Sequence, residues 1–538
     1  MQRRWGWLAA EAAILAMAAA VKGLAIAQLG GHPLLQPAGG LDSEWYVALA
    51  SRVAAGDWTL AGAFEGGAFP VSPLYVYVLA IVLGVFGGSL VAARVVQAAL
   101  GVVAIACAMR SARHWFGDPA ALVAGALLAG AGVITFHEIV LLQSALDPVL
   151  IAALALVYGR AVQGDRWPAW AGTGLLAALF ALNRPNALIV AAAIGAGLLV
   201  RLLRRRQRPA VLAAAAFAGA LAIGLAPAAV RNLAMTGRLT LISSHGGLNF
   251  FIGNRAGADG TYEAPPGITP SIAGQAHDAR VVAEAAAGRP LAGPDVSGYF
   301  AGLGASWIRE HPGDAAALFA RKLWLVAHRA ELPLNYSYAY YERDEQTVLR
   351  WLPIGAWCLV PLGIAGLAAR PRAGVARAGY FAWGALVPLY AISVAVFFVA
   401  GRYRLPILVP LAIAGAGGIT STIAALRTRR DRRRHGAGAG DRQRDQDRQP
   451  VAAGDEEDRD ADRVERHERA PGQIAGARDA ALDPGARARG QAGDAERDEA
   501  PGADREPAQH GRFVALVVGL AVVERQLGAM GDEPQLAD

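Results

Sequence analysis

Two carboxylates, a histidine-and-amide run and a late pair of arginines are the groups in this chain best suited to chemistry. Asp42 opens residues 42–55, where Trp45, Leu49 and Val53 recur every four positions, so the spacing predicts a short amphipathic helix ending at Gly56. A carboxylate there can take a proton from a hydroxyl, and a second carboxylate at the same face can orient it or help hold a metal ion. Glu138, just past an apolar run, is that second candidate. Structural alternatives stand beside each. Asp is a favoured helix N-cap, Glu44 suits the positive end of a helix dipole, Glu138 can reach to an interface, and Asp147 before Pro148 reads as a helix opening. Residues 243–254 are polar, Gly-rich and aromatic, and carry His245, Asn249 and Asn254. Hydroxyls, amides and a ring nitrogen can read sugar hydroxyls, and backbone N–H groups can cradle a phosphate; a turn joining a span to an outer segment fits the same residues. Arg402 and Arg404 flank Tyr403. Their guanidinium forks suit phosphate oxygens, or they anchor the chain at an interface. Arg184, between Asn183 and Pro185, is a weaker candidate for the phosphate role.

The elements that must position these groups are membrane spans. The chain has 538 residues, 54% of them hydrophobic, and a mean hydropathy of +0.32, values of a polytopic membrane protein and not of a soluble enzyme. Apolar runs at 7–29, 90–109, 120–136, 146–162, 169–182, 187–203, 210–229, 352–369, 380–399 and 405–426 give about ten transmembrane helices. The first follows Arg3 and Arg4 and is too long for a signal peptide, so it reads as an uncleaved span. Arg clusters at 3–4, 110–113, 160–166, 201–206, 370–372 and from 427 onward all fall on one side, the cytoplasmic side by the positive-inside rule. This holds if residues 73–86 form a re-entrant or interfacial helix. At 1.5 Å per residue that run reaches only about 21 Å.

The charge of +7 is thus a topology signal, not a nucleic-acid footprint. Lys22 and Lys322 are the two lysines among 51 basic residues, which suggests a GC-rich coding sequence and a bacterial source. Cys107 and Cys358 lie in apolar runs without metal spacing and read as packing residues. The expected organisation is an N-terminal transmembrane module over 1–229, an outer-face segment over 230–350, C-terminal helices over 351–426, and a disordered low-complexity tail over 427–538. The tail has the composition that an alternate-frame translation of GC-rich DNA would give. Residues 313–330 read as an interfacial helix with Leu318, Phe319, Trp324 and Val326 toward lipid.

Asp42 with Trp45 and Tyr46, residues 70–75 and 94–98, Asn183 to Ala187, Arg231 with Asn232, residues 243–254, His311 to Gly313 and Arg402 to Pro406 resemble, in order and spacing, the GT-C fold glycosyltransferases. The nearest group is family 39-like, bacterial relatives of protein O-mannosyltransferases and aminoarabinose transferases. The resemblance covers residues 5–425. It implies an all-α bundle and inverting transfer of a sugar from a polyprenyl-phosphate donor to a lipid, glycan or protein acceptor at the outer face of a bacterial inner membrane. It further implies Asp42 as general base and Glu138 as its companion. Arg402, Arg404 and Arg184 would hold donor phosphate, and His245, Asn249, Asn254 and Tyr46 would line the sugar or acceptor pocket. A divalent metal ion is compatible with the resemblance and not required by it. Several relatives continue after the last span into helical repeats, and this chain shows none. Two other readings fit a polytopic chain: a transporter or lipid flippase, which would place ionisable groups inside the bundle, and an oligosaccharide ligase using a lipid diphosphate donor.

Overall fold

The computed structural model describes residues 2–446, apart from 65–66, 165, 206 and 329–330. Among the described residues the chain is all helix, with two isolated β-bridges and no named strand. The α-helices are α1 (Gln2–Leu29), α2 (Asp42–Ala54), α3 (Leu74–Val85), α4 (Leu90–Phe116), α5 (Asp118–Ala129), α6 (Gly132–Ile139), α7 (Asp147–Gly164), α8 (Trp167–Asn183), α9 (Leu188–Arg205), α10 (Arg208–Thr236), α11 (Gly246–Gly253), α12 (Ile272–Ala287), α13 (Gly293–Glu310), α14 (Pro312–Ala327), α15 (Tyr338–Arg343), α16 (Ala356–Leu367), α17 (Arg377–Gly384), α18 (Leu386–Ala395) and α19 (Leu405–Gln446). Prolines in the first turns of α5, α8 and α10 open those helices at positions whose N–H groups would be unpaired anyway.

Among the described residues seven helices are long and apolar enough to cross a membrane. They match seven of the ten expected runs. The other three are shorter or interrupted. The run at 120–136 is broken at Gly130, whose carbonyl accepts from the Ile354 N–H while Ala131 bridges to Pro353. The run at 352–369 starts its helix only at Ala356, after Pro353 and Gly355. The run at 169–182 lies within the 17-residue helix α8. The run at 73–86 forms the 12-residue α3, which stays at one end of the bundle. Its first turn reaches α4 through Tyr75 Oη donating to Gln97 Oε1 at 2.7 Å, and Gly87 and Gly88, at φ 59° and 81°, turn the chain straight back into α4.

The basic clusters gather at one end. Glu11 of α1 pairs with Arg113 of α4, and the Arg372 N–H donates to the Trp115 carbonyl at 2.8 Å. Gln163 donates to the Ala376 carbonyl at 2.9 Å, and Arg166 and Arg208 line one surface cleft. Asp42, Arg184, His245 and Arg402 share a cavity at the other end. The division of sides drawn from the arginines therefore corresponds to a physical division of the molecule.

Residues between α10 and α16 build a small helical layer over the site end. Leu248, Ile252, Ile268, Ala279, Val296, Phe300 and Phe398 form its core. Two expectations change here. In α14, Leu318 and Val326 are buried against protein, one helical face shared with Lys322, and only Trp324 of the expected lipid-facing set is exposed. Packing at i, i+4 and i+8 outcompetes an interfacial role for that face. The last helix also continues past 427 to Gln446. A polar Arg-, Asp- and Gln-rich run can extend an existing helix without burying anything, because propagation costs little once a nucleus exists. Residues 447–538, with the apolar run 513–523, lie outside the described residues.

Candidate active site

Asp42 is the first residue of α2, not its cap. The N-cap is Leu41, which makes no side-chain cap bond, and Glu44 turns back to accept from the Gly40 N–H at 2.8 Å. Freed from capping, the Asp42 carboxylate points into a cavity of about 170 Å³, where Oδ2 accepts from Arg402 Nη2 at 2.9 Å. Arg402 comes from the 3-10 turn Gly401–Arg404 just before α19. Its Nε–H is buried with no partner. The two residues stand 360 positions apart in sequence, and their side chains are each only 11% exposed.

Around this pair the cavity collects Tyr46, Ser72, Gln143, Arg184, His245 and Asn249. Tyr46 Oη donates to Gln143 Oε1 at 2.7 Å, and its ring meets Tyr75 edge-on at 5.3 Å. Burial, and then the Asp42 carboxylate, push the Tyr46 phenol well above the usual tyrosine range, so it stays protonated and can donate. His245 Nε2 lies 2.9 Å from Gln275 Oε1, and Gln275 Nε2 donates to Tyr262 Oη at 2.7 Å. Burial pushes the His245 ring down, against smaller opposing effects of Gln275 and Asp42, so the imidazole is neutral near pH 7 and Nε2 is the donor. The Tyr262 phenol is pushed up to about 12, chiefly by burial.

Arg184 lines the cavity but is already engaged. Nε and Nη2 fork onto Asp147 Oδ2 at 3.0 and 2.7 Å, and Asn183 Nδ2 donates to Asp147 Oδ1 at 2.8 Å. A buried pair satisfied in this way is held by the cost of stranding either charge, about 3–5 kcal/mol if one partner is removed. Its guanidinium also sits over the Tyr403 ring, 4.9 Å from the centroid, while that of Arg402 lies 5.5 Å from the same centroid. Arg184 thus shapes a wall, and Arg402 is the cation beside the carboxylate.

Three expected site residues stand elsewhere. Glu138 is 1% exposed, does not line the cavity, and is bound by Lys22 of α1, which also donates to Thr135 Oγ1 at 3.3 Å. Gly101 of α4 makes room for that carboxylate, since a Cβ there would collide with it. Glu138 therefore offsets the charge of a lysine inside an apolar span. Arg404 donates to the His328 carbonyl at 2.6 Å and lines a neighbouring cavity with Glu331 and Trp357. Arg402 lines both cavities, whereas Arg404 lines this one and not the cavity that holds Asp42. Asn254 binds the Phe250 and Val396 carbonyls at 2.8 Å each and accepts from Lys322 Nζ at 2.9 Å. Buried Lys322 has its pKa pushed down to about 8 by burial.

Arg231 and Asn232 are structural. Arg231 binds the Thr59, Leu60 and Gly67 carbonyls, and Asn232 Oδ1 accepts from the Phe69 N–H at 3.0 Å. Together they hold residues 59–60, 67 and 69, and so the approach to Ser72. Among the described residues no group of three or more His, Cys, Asp or Glu could hold a metal ion. Asp42 is the one carboxylate lining the cavity and is paired with Arg402, so these residues do not fit a divalent ion. Gln143, Tyr262 and Gln275 carried no sequence signal, because their importance lies in contacts across the fold.

Comparison with known proteins finds a family model over part of the chain and distant solved structures. Residues 70–230 match the model of the family described as dolichyl-phosphate-mannose-protein mannosyltransferase. No curated protein matches the chain. Among solved structures, the oligosaccharyltransferase of Archaeoglobus fulgidus in its apo form is 15% identical, with a TM-score of 0.43 over 78% of this chain and 51% of that one. This chain thus spans about half the length of that protein. ArnT from Cupriavidus metallidurans in the apo state is 17% identical, with a TM-score of 0.36 over 77% of this chain and 78% of that one. ArnT from the same organism bound to undecaprenyl phosphate is 16% identical, with a TM-score of 0.34 and the same coverage. Over residues 70–230 the chain thus resembles the dolichyl-phosphate-mannose-protein mannosyltransferases, and its described residues have an all-helical, multi-pass membrane architecture.

Proposed function

We propose that this protein transfers a sugar from a polyprenyl-phosphate donor to a hydroxyl acceptor in the cavity that holds Asp42 and Arg402. The observation that carries the reading is the contact between those two side chains in one buried cavity at the end of the bundle opposite the basic clusters. A phosphate is already a good leaving group, so the reaction asks for a base on the acceptor and a cation on the departing oxygen. Asp42 accepts the acceptor hydroxyl proton as that oxygen bonds to the anomeric carbon. The carbon–oxygen bond to the phosphate breaks, and the electron pair leaves with the polyprenyl phosphate. Arg402 neutralises the charge that develops there. Attack opposite the leaving oxygen inverts the anomeric centre.

The resting contact has a further use. A donor phosphate competes for the guanidinium that rests on Asp42 Oδ2. Arrival of the donor would then draw Arg402 away and leave that oxygen open to the acceptor hydroxyl only when there is something to attack. Tyr46, His245 and Asn249 supply neutral donors and acceptors for sugar hydroxyls. The cavity faces the outer side if the positive-inside rule holds for the arginine clusters at the opposite end.

The test is transfer by the purified full-length protein, reconstituted with defined polyprenyl-phosphate and polyprenyl-diphosphate sugars and a membrane extract as acceptor source. Mass analysis should find a product from a monophosphate donor, and NMR of that product should show an inverted anomeric configuration. Product from the diphosphate donor alone would support the ligase reading, and no product from any donor in the series would count against transfer.

A further inference from the structure

A cleft of about 300 Å³ opens at the basic end of the bundle, between the start of α8 and the first turn of α10. Arg166, Trp167 and Pro168 line one side, and Arg208, Pro209 and Leu212 line the other. Close packing of the two helices brings these residues level. Gly174 of α8 admits the backbone carbonyl of Phe217 of α10, and Gly224 of α10 admits the Ala178 side chain. The helices therefore run side by side in one direction, from the basic end toward the reaction cavity. Counted back from the Gly174 crossing at helical rise, Arg166 lies about 12 Å away along α8 and Arg208 about 14 Å away along α10. Pro168 and Pro209 restrict the backbone on either rim.

Two guanidinium groups that share one opening repel each other, and an anion between them reverses the sign. No carboxylate of a described residue lines the cleft. Among the described residues neither arginine side chain has a hydrogen-bond or ion-pair partner. Arg113, at the same end, differs: Glu11 and Asp118 both bind it. A positive-inside signal asks only for cations near the end of a span. It does not ask that two unpaired ones be brought to a single cleft.

The surroundings select the kind of anion. α10 is long and apolar enough to span a membrane and begins at Arg208, so the cleft lies at headgroup level. Beside the arginines, Trp167 is 57% and Leu212 43% exposed, and an indole at that level suits the interface. Ile223, exposed about three turns along α10 from Leu212, faces the same way and continues the apolar surface into the hydrocarbon.

We infer that this cleft binds the phosphate of an anionic phospholipid, with Arg166 and Arg208 on the phosphate oxygens and Trp167 and Leu212 against the head-proximal part of its chains. The site shares no residue with the reaction cavity and does not depend on the transfer reading.

The test titrates the full-length protein in detergent with dioleoyl phosphatidylglycerol and dioleoyl phosphatidylcholine, and native mass spectrometry reads the first bound lipid. Wild-type protein should prefer the anionic lipid. Arg166→Gln and Arg208→Gln should each cut that preference about fivefold, and the double variant about twenty- to thirtyfold. Arg429→Gln, the same charge change at an exposed position of α19, should leave it unchanged. No preference in the wild type, or a preference that survives in the double variant, would overturn the site. An equal loss in Arg429→Gln would reduce it to diffuse attraction by the basic end. Glycerol phosphate, which has the headgroup chemistry without the chains, should compete weakly; competition equal to that of the lipid would make the cleft a site for a soluble phosphate. If the double variant does not fold, fluorescence decides. Phosphatidylglycerol with brominated chains should quench wild-type protein more than Trp167→Phe, while brominated phosphatidylcholine should not separate the two. Equal quenching of both proteins by the anionic lipid would place it elsewhere.

Discussion

Asp42→Asn should lower transfer by about a hundred- to ten-thousandfold, the range over which a positioned general base contributes, while expression, membrane insertion and melting temperature stay close to wild type. Asparagine keeps an oxygen that can accept from Arg402 Nη2, so the contact at 2.9 Å and the cavity wall it closes survive. What is lost is the ability to take a proton. The loss should fall on kcat with little change in donor KM, because Asp42 acts on the acceptor. Asp42→Glu, which keeps the base but moves it, should recover part of the rate. Near-normal turnover in Asp42→Asn protein would remove the carboxylate from the mechanism.

Arg402→Ala should lower kcat/KM for the donor by about a hundred- to a thousandfold, as for removal of one preorganised donor from developing negative charge. Here both KM and kcat should move, because the guanidinium holds the ground-state phosphate and gains on it as the bond breaks. Arg402→Lys should restore charge without the fork and so recover only part of the loss. An unchanged donor KM and kcat would leave Arg402 as an interfacial anchor beside Tyr403.

The membrane class and most of the spans are legible in the sequence, because a long apolar run bounded by arginines fits little besides a crossing of the bilayer. So is the gathering of Asp42, Tyr46, His245, Asn249 and Arg402 at one end, since sidedness follows from the loops alone. Their contacts are not. Asp42 and Arg402 meet across 360 residues, and no local period reports that. Glu138 reads as a site acid only while its partner is out of view, yet a signal is present. Lys22 sits alone in an apolar span, and a charge there requires an opposite charge somewhere in the bundle. Lys322, the other lysine, donates to the Asn254 amide oxygen and so takes Asn254 out of the pocket, a contact no local pattern announces. Arg404 reads as a second phosphate cation beside Arg402, and nothing in residue type marks that it binds the His328 carbonyl and stays out of the Asp42 cavity. The broken span at Gly130 is set by residues 353–354, more than two hundred positions downstream.

The central claim is that Asp42 and Arg402 open to the same, outer compartment. It is tested most directly by placing single cysteines at the two positions, in protein whose Cys107 and Cys358 are replaced by alanine, and treating intact cells with a membrane-impermeant maleimide. Both Asp42→Cys and Arg402→Cys should label before permeabilisation, and a cysteine at Arg427 should label only after it. Labelling of positions 42 and 402 from opposite sides, or of both only after permeabilisation, would contradict it.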